Sequence, residues 1–157
     1  QALPVADIMA PNLLELETLC GVHLTTLAQT RAAAHQLLES GVKMVLVKHL
    51  GRAASDPGRF EMLLATPQGD YLIARPLYPF ARQPVGVGDL ISALMLANLQ
   101  AGFDAVAAFE RTNAAVDEVL RQTWQADAYE LQLIAAQADF AEPRIAHRAE
   151  RLADGVA

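Results

Sequence analysis

The segment Gly86-Val87-Gly88-Asp89 combines two glycines with an acid at the start of an apolar, helix-forming stretch. Glycines let the backbone turn tightly and present successive N–H groups, and a helix start adds partial positive charge, so this pattern favours binding of a phosphate. A carboxylate within about 3 Å of a substrate hydroxyl can take its proton during attack on a phosphoryl group. The pattern is typical of an anion hole, here at Gly86, Val87 and Gly88, and makes Asp89 a candidate catalytic acid.

The same four residues also have a purely structural interpretation. Gly86 and Gly88 can shape a loop, and an acid in the first turn of a helix stabilises that helix through its dipole. Short Gly-x-Gly strings are common, so this motif by itself leaves both interpretations open.

A second candidate segment, Asn12-Leu13-Leu14-Glu15, is predicted to begin a short helix. It follows a short apolar stretch and the turn-forming Ala10-Pro11-Asn12. Asparagine is a favoured cap for the N–H groups of a first helical turn, and Glu15 lies in that turn near the positive end of the dipole.

Lys48 follows a nearly continuous apolar run that is rich in β-branched residues, Val42-Lys43-Met44-Val45-Leu46-Val47. Such a run predicts a strand that is buried on both faces of a parallel sheet. Ligands of open α/β sheets bind at the carboxyl ends of strands, where a cation is well placed for phosphate groups. The alternative is that the strand simply ends and Lys48 lies in water.

The hydrophobic period changes along the chain and predicts alternating strands and helices, which is an α/β fold. We expect a mostly parallel sheet flanked by helices, with one antiparallel hairpin at the Pro67-Gln68-Gly69-Asp70 turn. The predicted elements are a helix from Thr25 or Thr26 to Ser40, strands at 42–47, 60–66 and 71–74, a proline-rich irregular stretch at 75–87, a helix that begins after Gly88 and ends at Ala101, and helices from Val106 to Trp124 and at 129–138.

Length and charge restrict the class of protein. The chain has 157 residues, 53% of them hydrophobic, which suffices for one compact domain with a sizeable core. Its 12 basic and 18 acidic residues give a net charge of −6, and it has no basic run, so nucleic acid is not an expected partner. No apolar run approaches the roughly 20 residues that span a bilayer.

The cysteine content and the first residues of the sequence bear on where the protein is located and on whether the sequence is complete. The lone Cys20 has no partner for an intramolecular disulfide, and no signal peptide pattern is present, so we predict a cytoplasmic protein without a membrane partner. Since the sequence opens at Gln1 without an initiator methionine, we expect it to be a piece of something longer.

Several other residues have simpler structural interpretations. The histidines lie at no metal-ligand spacing and are predicted to be structural or solvent-facing, and the cysteine lies among apolar residues. Two aromatic residues of the last long helix are predicted to lie in the core. Three acids of the same helix are predicted to lie on a face that is exposed to solvent. These residues are His23, His35, His49, His147, Cys20, Phe109, Trp124, Glu110, Asp117 and Glu118.

The two motifs together resemble the ribokinase-like superfamily of small-molecule kinases, in which Gly-x-Gly-Asp opens an apolar helix and Asn-x-x-Glu lies upstream. Gln83, Pro84 and Val87 depart from the sugar-kinase branch. The chain is similar instead to bacterial pyridoxal kinases, nearly from end to end. The matching segments are Val45-Leu46-Val47-Lys48-His49-Leu50, Arg59-Phe60-Glu61-Met62-Leu63-Leu64, Arg75-Pro76-Leu77, Arg82-Gln83-Pro84-Val85-Gly86-Val87-Gly88-Asp89, Tyr129-Glu130-Leu131-Gln132 and Ala135-Ala136-Gln137.

This resemblance implies roles for individual residues. Asp89 matches the acid at the substrate hydroxyl. Glu15 would repel a phosphate directly, so its implied task is to hold hydrated Mg²⁺, alongside stabilisation of its own helix start. The positions that match ATP contacts in the family are Ala10, Glu15, Lys48, Arg75, Pro76, Leu77 and Tyr78.

Family members are close to twice this length, and the resemblance places this chain in their C-terminal half. Residues 1–143 are expected to form the ATP-binding side with the catalytic acid, and residues 144–157 a charged tail. The implied function is ATP-dependent phosphorylation of the 5′-hydroxyl of pyridoxal to pyridoxal 5′-phosphate, by a protein that is a homodimer when full length.

Two alternatives stay open. The substrate pocket is expected to lie mostly in the other half, so a kinase for hydroxymethylpyrimidine is the nearest rival among enzymes. A non-catalytic nucleotide-binding fragment is the rival of another class, since the isolated 157 residues are expected to have little or no activity.

Overall fold

The structure is a computed structural model that describes residues 7–56, 58–127, 130–132 and 142–153. The chain divides into two compact units, Gln1–Ala74 with Glu150–Ala157, and Arg75–Ala149. The first unit contains most of the sheet and two helices, and the second contains the other two helices. Both units carry residues of the predicted site.

In the described residues, a sheet of five strands in the order β1-β2-β3-β4-β5 organises the first unit. Its strands are β1 Ile8–Met9, β2 Met44–Val47, β3 Arg59–Thr66, β4 Gly69–Pro76 and β5 Glu150–Arg151, of which β4 ends in the second unit. The helices of this unit are α1 Leu13–Cys20 and α2 Leu27–Glu39, and a 3₁₀ turn lies at Gly51–Ala53.

The α/β class with an antiparallel hairpin is confirmed, but the described part of the sheet is mixed rather than mostly parallel. β1 and β2 are parallel, with Ile8 opposite Met44, whereas β2 and β3 are antiparallel, with Leu46 opposite Leu64. A parallel return needs a crossover, usually a helix. The described residues between β2 and β3 contain only the short 3₁₀ turn and no crossover helix, and β3 runs back beside β2.

The predicted starts of the first two helices are confirmed by their capping bonds. Asn12 caps α1 in a capping box with Glu15, and Thr26 caps α2 in a capping box with Gln29. Each box satisfies N–H groups that a helix start otherwise leaves without partners. α1 ends at Gly21, whose φ of 70° places it in the left-handed region that glycine adopts at low cost.

The core of the first unit lies between the sheet and its two helices. Val45, Val47 and Leu63 are buried with Leu16 of α1 and Ala34 of α2. Leu46 between the two valines is also fully buried, which confirms the prediction that both faces of β2 are covered. Alternate residues of a strand point to opposite faces, so this continuous run cannot leave one side of the strand in water.

A buried carboxylate, Asp70 of β4, connects α2 to the C-terminal part of the chain. Its side chain is 3% exposed and accepts a hydrogen bond from Arg31 Nε at 2.9 Å, while His35 Nε2 lies 2.8 Å away. Arg31 also donates from Nη2 to the carbonyl of Ala153, and Leu152 N donates to the carbonyl of Asp70. Part of the predicted tail is therefore ordered against the sheet.

The second unit is built on α3 Val87–Gln100 and α4 Ala105–Gln125, which pack against each other. Ile91 and Met95 of α3 and Phe109 of α4 are buried, as the helical spacing predicts. Trp124 is 41% exposed, so its prediction as a core residue is wrong. It lies in the last turn of α4, next to the fully buried Thr123, on a side of the helix that is only partly covered.

The helix predicted at 129–138 falls mostly outside the described residues. Its described part, 130–132, is not helical. Within the part of the chain that the structure describes, no helix is both long and apolar enough to cross a membrane.

Asp70→Ala is expected to lower the free energy of unfolding by about 3–5 kcal/mol, because it leaves the nearly buried Arg31 guanidinium without its counter-charge. Lys43→Ala is the matched control. It breaks an ion pair with Asp7 in which the lysine side chain is 75% exposed, and such pairs contribute about 0–1 kcal/mol. Urea denaturation of both variants measures the difference, and equal losses would show that the Asp70 cluster does not hold these segments together.

Candidate functional site

Helix α3 begins without a side-chain cap. Its N-cap is Gly86, with φ 88° and ψ 3°, and among the residues that the structure describes no side chain bonds to the N–H groups of the first turn. The first helical hydrogen bond runs from Leu90 N to the carbonyl of Gly86 at 3.0 Å. The N–H groups of Val87, Gly88 and Asp89 precede this bond and have no intrahelical acceptor, which is the arrangement that binds anions.

The helix starts slightly earlier than the sequence predicts. Val87 and Gly88 belong to its first turn instead of forming a loop before it. The left-handed conformation of Gly86 makes the turn by itself, so the chain is already helical at Val87. The predicted anion hole is therefore the first turn of α3 together with Gly86.

Asp89 is the third residue of α3 and its side chain is exposed. Among the residues that the structure describes, its carboxylate makes no hydrogen bond or ion pair. A carboxylate at this place is stabilised by the dipole and stays accessible, so it can accept a proton from an incoming hydroxyl.

The segment 75–78 leaves the sheet at the end of β4. Arg75 and Pro76 still belong to that strand, so the prediction that the irregular stretch begins at Arg75 is wrong. Proline is tolerated at the end of a strand because no further ladder bond is needed there. Leu77 is 48% exposed, and Tyr78 is half-buried.

Arg75 is fully buried, and Nη1 donates to Asn113 Oδ1 at 2.9 Å. Burial disfavours the charged form of the guanidinium and lowers its pKa to about 9. Tyr78 donates its hydroxyl to Asp117 Oδ1 at 2.9 Å. Burial, with help from this bond, raises the pKa of Tyr78 above its ordinary value, so the phenol stays protonated at neutral pH.

Three predicted residues lie together in the first unit. Ala10 directly follows β1 and Lys48 directly follows β2, and these strands are parallel, so both residues lie at carboxyl ends. Lys48 N donates to the carbonyl of Pro11 at 3.2 Å, which ties the two strand ends together. Ala10 and Glu15 line one cavity of about 600 Å³ with mostly apolar neighbours such as Leu14.

Glu15 stabilises the start of its own helix, which is the structural role that the sequence left open beside metal binding. Its Oε1 accepts from Asn12 N at 2.9 Å, and Asn12 Oδ1 accepts from Glu15 N at 2.8 Å. The side chain is exposed, and no hydrogen bond to Oε2 occurs in the described ranges. Within those ranges no group of three possible ligands could enclose a metal ion. A single carboxylate fits Mg²⁺, which keeps several waters and usually binds proteins through one or two carboxylates together with substrate phosphates.

Sequence reasoning missed Asn113 and Asp117, which bind Arg75 and Tyr78. Asp117 was predicted to lie on a solvated helix face, but it is half-buried and bonded to Tyr78. A signal was present, because polar residues four apart on the otherwise apolar side of α4 lie on one face and need partners.

The other acids of α4 carry structural interactions. Glu110 accepts from Ala149 N at 2.8 Å, and Glu118 pairs with Arg121. Cys20 is partly buried, and its thiol donates to the carbonyl of Ala33 at 3.5 Å, as a small residue at the edge of the core.

A family model described as phosphomethylpyrimidine kinase matches residues 1–133. The chain belongs to this family. Pyridoxal kinase PdxY of Aliivibrio fischeri is 60% identical over 154 residues, which are 97% of this chain and 53% of that protein. This chain spans about half the length of the curated relatives it matches.

Solved pyridoxal kinases share the fold over the same extent. The enzyme from Trypanosoma brucei superposes with a TM-score of 0.81 at 22% identity, over 95% of this chain and 53% of its own. Plasmodium falciparum PdxK, solved with the ligands AMP-PNP and PL, gives a TM-score of 0.81 at 21% identity. The match covers 94% of this chain and 50% of that protein. The ribokinase-like architecture implied by the sequence motifs is thus confirmed.

Gly86→Ala is expected to lower the free energy of unfolding by about 1–2 kcal/mol, because alanine is strained in the left-handed conformation. Crowding is not the cause, since the nearest atom to an added Cβ is Leu131 Cδ1 at 3.9 Å. Gly86→Asn is the control. Asparagine adopts the left-handed conformation more readily than alanine, so this variant should lose less free energy of unfolding. Urea denaturation distinguishes them, and an alanine variant as stable as wild type would contradict the assigned backbone conformation.

Proposed function

We propose that the protein to which this chain belongs is an ATP-dependent pyridoxal kinase, with this chain forming its C-terminal portion. The observation that carries the proposal is the 60% identity to a pyridoxal kinase across 97% of the chain. The uncapped start of α3 with its accessible acid supplies the arrangement that phosphoryl transfer needs.

In the proposed reaction, Asp89 accepts the proton of the 5′-hydroxyl of pyridoxal. The hydroxyl oxygen forms a bond to the γ-phosphorus of ATP, the bond from that phosphorus to the β–γ bridging oxygen breaks, and ADP leaves. Charge on the transferring group is stabilised by the N–H groups of Val87 and Gly88 at the dipole of α3, with Gly86 shaping the turn.

The nucleotide contacts are proposed separately for each unit. In the first unit, the ammonium of Lys48 attracts phosphate, and Ala10 allows close approach at the strand end. In the second unit, the contacts come from the segment 75–78. Since Arg75 is fully buried and its Nη1 bonds Asn113, its proposed contact is through the backbone, whereas Leu77 and Tyr78 offer side-chain surface.

Mg²⁺ is proposed as the cofactor, held through water by Glu15. The observed capping box engages one carboxylate oxygen and leaves the exposed group able to bind a hydrated ion. When bound, the metal neutralises phosphate charge.

Hydroxymethylpyrimidine is the rival substrate, because the matching family model carries the description phosphomethylpyrimidine kinase. The identity to pyridoxal kinases favours pyridoxal. The full-length protein is expected to phosphorylate pyridoxal with the higher kcat/KM in an assay of both substrates with Mg-ATP. Preference for the pyrimidine would overturn the substrate, and turnover by the 157-residue chain alone would exclude a non-catalytic fragment.

Asp89→Asn in the full-length protein is expected to reduce kcat by about 10²–10⁴-fold with nearly unchanged ATP affinity, because the amide keeps the volume but cannot accept the proton. Single-turnover assays and calorimetric titration with ATP measure the two quantities. If activity fell only in proportion to folded protein, Asp89 would be a helix-start acid and not the base.

Glu15→Gln is the contrasting variant. We expect it to raise the Mg-ATP concentration needed for half-maximal rate as well as to slow turnover, because its proposed partner is the hydrated metal. An unchanged magnesium dependence would remove Glu15 from the metal site and leave only its capping role.

We also propose a cytoplasmic homodimer for the full-length protein. The proposal rests on the resemblance to the kinase family, and exposed apolar side chains such as Leu14 at 69% and Val85 at 63% leave surface that the rest of the protein or a second copy can cover. Sedimentation at micromolar concentration tests the oligomeric state, and a monomer would contradict it.

A further inference from the structure

Helix α4 holds the segment 75–78 at both of its ends. Asn113 and Asp117 lie four residues apart and therefore on one face of α4. Asn113 Oδ1 accepts from Arg75 Nη1 at 2.9 Å, and Asp117 Oδ1 accepts from the Tyr78 hydroxyl at 2.9 Å.

The two bonds differ in burial. Arg75 is 0% exposed and Asn113 is 1% exposed, so their bond is a fixed anchor inside the second unit. Tyr78 and Asp117 are both half-buried, so their bond lies at the boundary with solvent. The first bond therefore belongs to the core, whereas the second acts on a side chain that a ligand can reach.

Tyr78 needs such a restraint because the chain turns irregular directly after β4. Its ring lies against Trp124, with 5.6 Å between ring centroids, and edge-on to Phe80 at 6.5 Å. Ring contacts of this kind are non-directional compared with a hydrogen bond, so the bond from the hydroxyl to Asp117 is the contact that fixes one orientation of the ring. Ordering a contact side chain before the ligand arrives reduces the entropy lost on binding.

We propose, building on the proposed function, that Asp117 is a positioning residue for the nucleotide. By accepting the Tyr78 hydroxyl bond, it holds the tyrosine ring and the adjoining backbone in the conformation that contacts ATP. Asp117 itself does not touch the nucleotide.

The test uses the full-length protein, with AMP-PNP as the probe of nucleotide affinity and pyridoxal turnover as a second readout. Asp117→Ala is expected to weaken AMP-PNP binding and raise the KM for ATP by about tenfold, with kcat and the KM for pyridoxal within about twofold of wild type. Asp117→Asn should restore affinity, because its amide oxygen still accepts the hydroxyl. Glu118→Ala, at the neighbouring acid that pairs with Arg121, is the matched control and should leave affinity unchanged.

Tyr78→Phe supplies an independent variant that removes only the hydroxyl. It should weaken AMP-PNP as much as Asp117→Ala does, and the double variant should be no worse than either, because both remove the same bond. Additive losses, or an Asp117→Ala protein with wild-type AMP-PNP affinity, would overturn the positioning role.

The outcomes separate this role from the proposed function. A wild-type protein that binds AMP-PNP without phosphorylating pyridoxal, and that loses affinity in Asp117→Ala, would overturn the substrate while supporting the positioning role. If the wild-type protein phosphorylates pyridoxal normally and Asp117→Ala binds AMP-PNP as wild type does, the substrate would be supported and the positioning role overturned. A wild-type protein that fails to bind AMP-PNP would overturn both.

Discussion

The backbone N–H groups at a helix start need acceptors, and this constraint organises the chain. Three helices of the described residues meet it with side chains, Asn12 for α1, Thr26 for α2 and Asp104 for α4. Helix α3 begins at Gly86 and has no such cap. Its first N–H groups are left for another acceptor, and the exposed Asp89 lies in the same turn. Among the described α-helices, the one uncapped start is thus the one on which phosphoryl transfer is proposed.

A second constraint is that buried polar groups must be paired. The Asp70 cluster brings α2 and the C-terminal residues to the sheet, because the carboxylate cannot be buried without Arg31. Arg75 is drawn into the second unit in the same way and is bonded to Asn113. Residues that are far apart in the chain are thereby fixed at defined places within their own units.

The two units contribute different groups to the proposed reaction. In the first unit, the parallel strands β1 and β2 place Ala10 and Lys48 at neighbouring carboxyl ends, and the capping box fixes Glu15, which lines the same cavity as Ala10. In the second unit, α3 supplies the turn proposed as the anion hole, and Asp117 of α4 accepts the hydrogen bond of the Tyr78 hydroxyl. Each proposed contact therefore rests on an element whose position is set by packing or by a specific bond.

The sequence by itself determined the features that depend on neighbouring residues. The caps at Asn12 and Thr26, the buried run of β2 and the glycine turn before α3 follow from local bonding, period and backbone freedom, and the two motifs were enough to indicate the kinase family. The tertiary structure decided what depends on distant partners. It paired β3 antiparallel to β2, exposed Trp124, ordered residues of the predicted tail beside β4, and joined Asp117 to Tyr78. Hydrophobic periodicity shows which face of an element is buried, but it carries no information about the partner that buries it, and hydrogen bonds between distant side chains exist only once that partner is in place.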